Sequence, residues 1–147
     1  MKHAFQFKSF GNISNEIWNS ILSLRSSVFV FEQKCIYIDP DNLDSTATHC
    51  YLLKNDELIA YARLFKQETW HIGRVITAIK FRNQGLSNEL LKETIAEIME
   101  KDPSPKIELS AQTYLHDFYA RLGFTAIGSM YLEDGIPHLK MVYSPLE

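Results

Sequence analysis

Several phosphate-binding signatures are missing from this chain of 147 residues. It has six glycines, and no three of them are spaced as a dinucleotide-binding turn requires. No Gly-Lys-Ser/Thr follows a strand, so a P-loop is excluded as well. Cys35 and Cys50 are the only cysteines, and they show neither metal-binding nor redox spacing. They are expected to be free thiols that fill small gaps in the core of a protein kept in a reducing compartment. No apolar run reaches the length of a membrane span. Residues Met1 to Gln6 lack the apolar centre of a signal peptide, so the expected location is the cytoplasm, with no membrane partner. Basic excess is absent too: the net charge is −3 and the pI is near 5.9. Nucleic-acid binding is therefore disfavoured, and a cationic partner such as an amine is mildly favoured. His49, His71 and His138 lie far apart in sequence and contain no i, i+4 helix pair, so no metal is expected.

What is present is an ordinary globular composition, 46% hydrophobic and 22% charged, without repeats or linkers. The length suits a single domain spanning 1–147, as a monomer or homodimer. Phe5 to Lys8 alternates like a strand. Ile17, Ile21, Leu24 and Val28 recur at helical spacing, which predicts a helix over about 14–29. Residues 31–48 form a long acidic loop carrying Asp39, Asp41 and Asp44. Strands are predicted over 50–54, 58–65, 72–79, 107–111, 124–131 and 139–143. Helices are predicted over 86–99, where an apolar stripe precedes Pro103, and over 118–122, which Gly123 closes. The resulting order, β-α-β-β-β-α-β-α-β-β, reads as an α+β fold. Its mixed, mostly antiparallel central sheet carries helices on both faces.

The most informative segment is Arg82-Asn83-Gln84-Gly85-Leu86-Ser87, placed between a strand and a helix. The first N–H groups of a helix lack partners within it, and the helix dipole adds positive potential there. A diphosphate fits such a terminus. Gly85 permits positive φ and close approach, and Arg82 brings a charge beside the turn.

Arg82, Gly85 and Ser87 resemble the acyl-CoA diphosphate loop of the GNAT acetyltransferase superfamily, with Ser87 standing where Gly or Ala is usual. Phe118-Tyr119-Ala120-Arg121-Leu122-Gly123-Phe124 resembles a second motif of that superfamily, at the expected distance. Over nearly its whole length the chain is similar to the ElaA-like branch, through residues 28–33, 60–63, 72–75 and 133–138. Ile36 departs from that branch, which commonly has Pro there.

The resemblance implies the GNAT fold and an N-acetyltransferase that carries an acetyl group from acetyl-CoA to a small-molecule or peptide amine. It implies that Arg82, Asn83, Gln84, Gly85, Leu86 and Ser87 hold the diphosphate. The main chain of Val75 and Thr77 would pair with the pantetheine arm in a gap between the strands at 72–79 and 107–111. Tyr119 corresponds to the general acid that protonates the departing thiolate. For the base, the candidates are His71, His138 and Glu32. Acceptor binding is expected from Glu32, His49, Arg63, Glu133 and His138. A cationic acceptor would enter between the carboxylates of loop 31–48 and those of Glu133 and Asp134. The competing reading is a CoA-binding regulatory or interaction module with a degenerate active site.

Overall fold

The structure, a computed structural model, describes residues 3–144. Met1, Lys2 and residues 145–147, at the two ends of the predicted domain, lie outside the described residues. Strands and helices follow the predicted order: β1 (Gln6–Ser9), α1 (Asn15–Arg25), β2 (Thr48–Lys54), β3 (Glu57–Lys66), β4 (Trp70–Thr77), α2 (Leu86–Lys101), β5 (Ile107–Gln112), α3 (His116–Arg121), β6 (Phe124–Glu133) and β7 (Ile136–Tyr143). The strands form one seven-stranded sheet in the order β1-β2-β3-β4-β5-β7-β6. Every pairing is antiparallel except β4 with β5. Among the described residues no helix is long and apolar enough to cross a membrane.

Alternation along the strands divides the core between the two faces. One face packs Cys50, Leu52, Ala60 and Ile72 against Leu86, Leu90, Leu91 and Ile98 of α2 and Tyr119 of α3. The other packs Tyr51, Tyr61 and Ile76 against Ile21 of α1 and Val28. Cys50 lies wholly inside, and burial pushes its thiol up to about 12, so it acts as a small apolar side chain.

Several boundaries differ from the sequence reading. Beyond α1 the chain widens into a π-helical segment, Ser26–Glu32, in which Gln33 N–H donates to Val28 O five residues back. β4 begins two residues early because Trp70 N–H reaches Lys106 O, and it ends at Thr77, before a 3₁₀ turn at Ile79–Phe81. β7 begins at Ile136 because Asp134 and Gly135 both adopt positive φ, 50° and 76°. Such a two-residue turn starts the returning strand at once.

The acidic loop is pinned by a closed ring of ion pairs. Arg25 Nε meets Asp39 Oδ2 at 2.7 Å, and Asp39 Oδ1 meets Arg74 Nε at 2.8 Å. Arg74 Nη2 lies 3.6 Å from Asp41 Oδ2, and Asp41 Oδ1 lies 2.6 Å from Arg63 Nη1. Arg63 Nη1 and Arg25 Nη1 both reach Asp44 Oδ1, at 2.9 and 2.7 Å. Asp39 is 2% exposed and Asp44 4%. These carboxylates are therefore neutralised inside the protein, which corrects the expectation that they draw a cationic acceptor. Burial works to raise the Asp41 and Asp44 carboxyls, but the hydrogen bonds and charges of Arg63 and Arg25 hold both below the ordinary carboxylate range.

Asp44→Ala leaves the wholly buried Arg25 short of a partner. The expected loss is about 3–5 kcal/mol in a urea melt, the usual cost of breaking one side of a buried pair. Because these carboxyls are held low in the folded state, their contribution is complete above about pH 4. It falls away as the pH drops below that, so acid melts should steepen there and flatten in Asp44→Ala.

Candidate active site

Asn83 and Gly85 both take positive φ, 63° and 77°, and turn the chain sharply into α2. Gly85 is the N-cap of α2, and no side chain caps that end. The leading N–H groups of a sixteen-residue helix are thus left for an anion. Ser87 spends its hydroxyl on Thr77 Oγ1, at 2.7 Å, tying the helix start to the end of β4. A small polar residue is accommodated there without blocking the N–H groups.

β4 and β5 pair only at Trp70 with Ile107 and His71 with Glu108. Beyond that point they separate, although β4 runs on to Thr77 and β5 to Gln112. Against β3, β4 carries one extra residue: Arg63 faces Gly73, whereas Tyr61 faces Ile76. Arg74 sits in this bulge at φ 51°, a strained value for a side-chain-bearing residue. Its guanidinium is fixed by Asp39 Oδ1 and Asp39 O, at 2.8 and 2.9 Å. The acidic loop thereby holds the bulge in shape at the edge of the gap.

A cavity of about 1170 Å³ runs from the α2 N-terminus through this gap to the β6–β7 hairpin. At one end lie Arg82, Asn83, Gly85, Leu86 and Ser87, and along the gap lie Val75, Thr77 and Tyr119. At the other end lie His71, Glu108, Ser110, Tyr131, Glu133 and His138. Cys35 Sγ–H donates to Asp134 O at 3.5 Å, so the loop after the π-helical segment touches the hairpin over the cavity. Tyr119 is 6% exposed, wedged edge-on between Phe118 and Phe124. Burial pushes its hydroxyl up to about 12, with the Tyr114 charge adding to the shift. The hydroxyl therefore stays protonated at neutral pH.

The profile of the acetyltransferase (GNAT) domain matches residues 30–145. The ElaA protein of Escherichia coli is 40% identical over 128 residues, covering 83% of this chain and 84% of its own. A UPF0039 protein of Synechocystis is 36% identical over 148 residues, covering 97% of this chain and 96% of its own. The crystal structure of E. coli ElaA superposes with a TM-score of 0.92 over 95% of this chain and 99% of that one. That of an acyl-CoA N-acyltransferase from Pseudomonas aeruginosa gives 0.91 at 32% identity, with the same coverage. The chain belongs to the GNAT acetyltransferase family.

Within this GNAT fold most of the expected residues line one cavity, but His49 and Gln84 are not among its lining residues. His49, on β2 and against Trp18 of α1, is fully buried, its Nε2–H donating to Asp44 O at 2.9 Å and its Nδ1 accepting from Tyr61. Both ring nitrogens are used, so the acceptor-binding expectation for His49 is corrected: it is a core residue. Arg63 borders the cavity, but its Nη1 is held by Asp41 and Asp44 in the ring, and its Nε is buried without a partner. Neither Arg82 nor Glu32 stands free. Arg82 Nη1 and Nη2 grip the two Glu32 oxygens at 2.7 and 2.9 Å, and Arg82 Nε donates to Thr77 O at 3.0 Å. The Arg82 hydrogen bond holds the Glu32 carboxyl below its ordinary range, and so weak a proton acceptor is a poor base.

His71 stacks on Phe65 and lies 3.9 Å from Glu108, which Lys140 also pairs at 3.1 Å. Glu108, Ser110, Tyr131 and Arg74 were not singled out from the sequence. The alternation Ile107-Glu108-Leu109-Ser110-Ala111-Gln112 was the available signal, since it gives β5 one apolar and one polar face.

Proposed function

We propose that this chain moves an acetyl group from acetyl-CoA to a primary amine, by direct attack in a ternary complex, within a single domain spanning 1–147. One observation carries the reading. An uncapped helix N-terminus opens onto a gap between two parallel strands, and the gap leads to a protonated, buried tyrosine. The backbone N–H groups of residues 85–88, with Asn83 and Gln84 in the turn, hold the diphosphate. The main chain of Val75 and Thr77 pairs with the pantetheine arm as an added strand would. The bulge at Arg74 releases backbone N–H groups from the β3 ladder towards the acyl carbonyl. Tyr119 gives its proton to the leaving thiolate. On the polar sheet face, His71 and His138 are the groups able to take the amine proton, whereas Glu32 belongs to the diphosphate end through Arg82.

Thiol release from acetyl-CoA, followed across a panel of primary amines, tests the reading. Turnover with at least one amine and formation of its acetamide is expected. Acetyl-CoA binding without turnover on any amine would instead support a degenerate CoA-binding module.

Glu32→Gln should tighten acetyl-CoA binding about three- to tenfold in calorimetry, because it frees Arg82 for the diphosphate and removes a nearby negative charge. With a good acceptor, kcat should stay within about twofold. A large drop in kcat would return Glu32 to the list of bases.

A further inference from the structure

Four cavity residues are joined in a hydrogen-bonded chain whose last pair is mismatched. His138 is nine-tenths buried, and its Nδ1 lies 2.7 Å from Ile136 O. A carbonyl only accepts, so Nδ1 carries the hydrogen and Nε2 of the neutral ring is an acceptor. Nε2 faces Glu133 Oε2 at 3.4 Å. Ser110 Oγ donates to Glu133 Oε1 at 3.4 Å, and Tyr131 O–H in turn donates to Ser110 Oγ. The Tyr131 ring also stacks on His138, which fixes the imidazole plane. When the His138 ring carries only its Nδ1 hydrogen, every protein donor in the chain is consumed on the Oε1 side, and two acceptors face each other.

Among the described residues, the uncompensated carboxylates of the cavity, Glu133 and Asp134, lie at this same end. Of the glutamates lining the cavity, Glu32 is neutralised by Arg82 and Glu108 by Lys140. Glu133 has no lysine or arginine partner among the described residues, and its half-exposed side chain lines the cavity. Two facing acceptors, one of them charged, call for a donor that is itself a cation.

We propose that Glu133 Oε2 and His138 Nε2 form the binding site for the acceptor's primary ammonium group, oriented by Ser110 and Tyr131. Two ammonium N–H bonds satisfy the two acceptors. One of these N–H bonds then breaks as its proton passes to Nε2. The result is a neutral amine with a free lone pair beside an imidazolium that Glu133 stabilises. The amine nitrogen then bonds to the thioester carbon as the C–S bond breaks, and the thiolate takes the Tyr119 proton. The acylated nitrogen loses its second proton through solvent to the Tyr119 phenolate, leaving the neutral acetamide, and His138 returns its proton to solvent. These last steps rest on the acetyl-transfer reading above, whereas the ammonium site itself does not.

The test uses the full chain with ¹⁵N-labelled histidine, the His138 ring resonances being assigned by their loss in His138→Gln. The wild type is titrated with n-propylammonium and with tetramethylammonium, which has the charge but no N–H donors. A saturable shift of His138 Nε2 is expected with n-propylammonium only, and it should vanish in Glu133→Gln. In thiol release, Glu133→Gln and Ser110→Ala should raise the acceptor KM, by at least about tenfold for Glu133→Gln, with the acetyl-CoA KM unchanged. Equal shifts from the two cations, no shift from either, or a shift that survives in Glu133→Gln would overturn the site. A donor-specific shift without turnover on any amine would leave the site standing and remove the acetyl-transfer reading. Turnover with an unaltered acceptor KM in Glu133→Gln would do the reverse.

Discussion

Gly85→Asp is expected to abolish acetyl-CoA binding while the protein stays folded. The φ of 77° at Gly85 lies in the left-handed region, which Asp tolerates better than most side chains. A Cβ built there meets nothing within 4 Å, so no packing is disturbed. The added carboxylate would nevertheless stand at the mouth of the α2 N-terminus, where it caps the free N–H groups and repels a diphosphate. At least about a 100-fold loss of affinity is expected by calorimetry, since both the anion's hydrogen bonds and its favourable potential are removed. Circular dichroism and the melting temperature should change little. Unaltered affinity in a folded variant would move the diphosphate away from this turn.

Tyr119→Phe should slow turnover about 10²–10⁴-fold, the usual cost of losing a general acid, with the acetyl-CoA affinity nearly intact. The ring is held between Phe118 and Phe124, and phenylalanine preserves that packing. What the substitution removes is a hydroxyl whose proton burial retains to about 12. A variant whose rate stays within about twofold across pH 6–9 would make Tyr119 a packing residue and assign the proton to water.

Local chemistry was legible in the sequence, and long-range charge pairing was not. The turn at 82–87 is specified by neighbours within a few residues, and the structure bears out its positive-φ glycine and uncapped helix start, whereas Tyr119 was picked out by the resemblance of residues 118–124 to a family motif. The gap between β4 and β5 was implied by the resemblance, and the ladder agrees with it by stopping after His71 and Glu108. The acidic loop misled because its partners are remote: Arg25 lies 14 and 19 residues from Asp39 and Asp44, and Arg74 lies 35 from Asp39. Nothing local separates three aspartates that greet a ligand from three that close a buried ring. Glu32 misled for the same reason, since Arg82 is 50 residues away and only the π-helical segment brings the two together. His49 was placed near the acceptor by strand position alone. Its register opposite Arg63 is real, but α1 covers that part of the sheet through Trp18.

Cys35 lines the cavity, so an acyl-enzyme route is the chemical rival to direct transfer. The most direct measurement mixes the protein rapidly with excess acetyl-CoA, first without amine and then with the best acceptor, and follows free thiol and protein mass together. Direct transfer predicts no stoichiometric burst of CoA and no mass gain without amine, then steady release matched by acetamide once amine is present. A burst of one CoA per protein with an acetyl group left on the chain would contradict it.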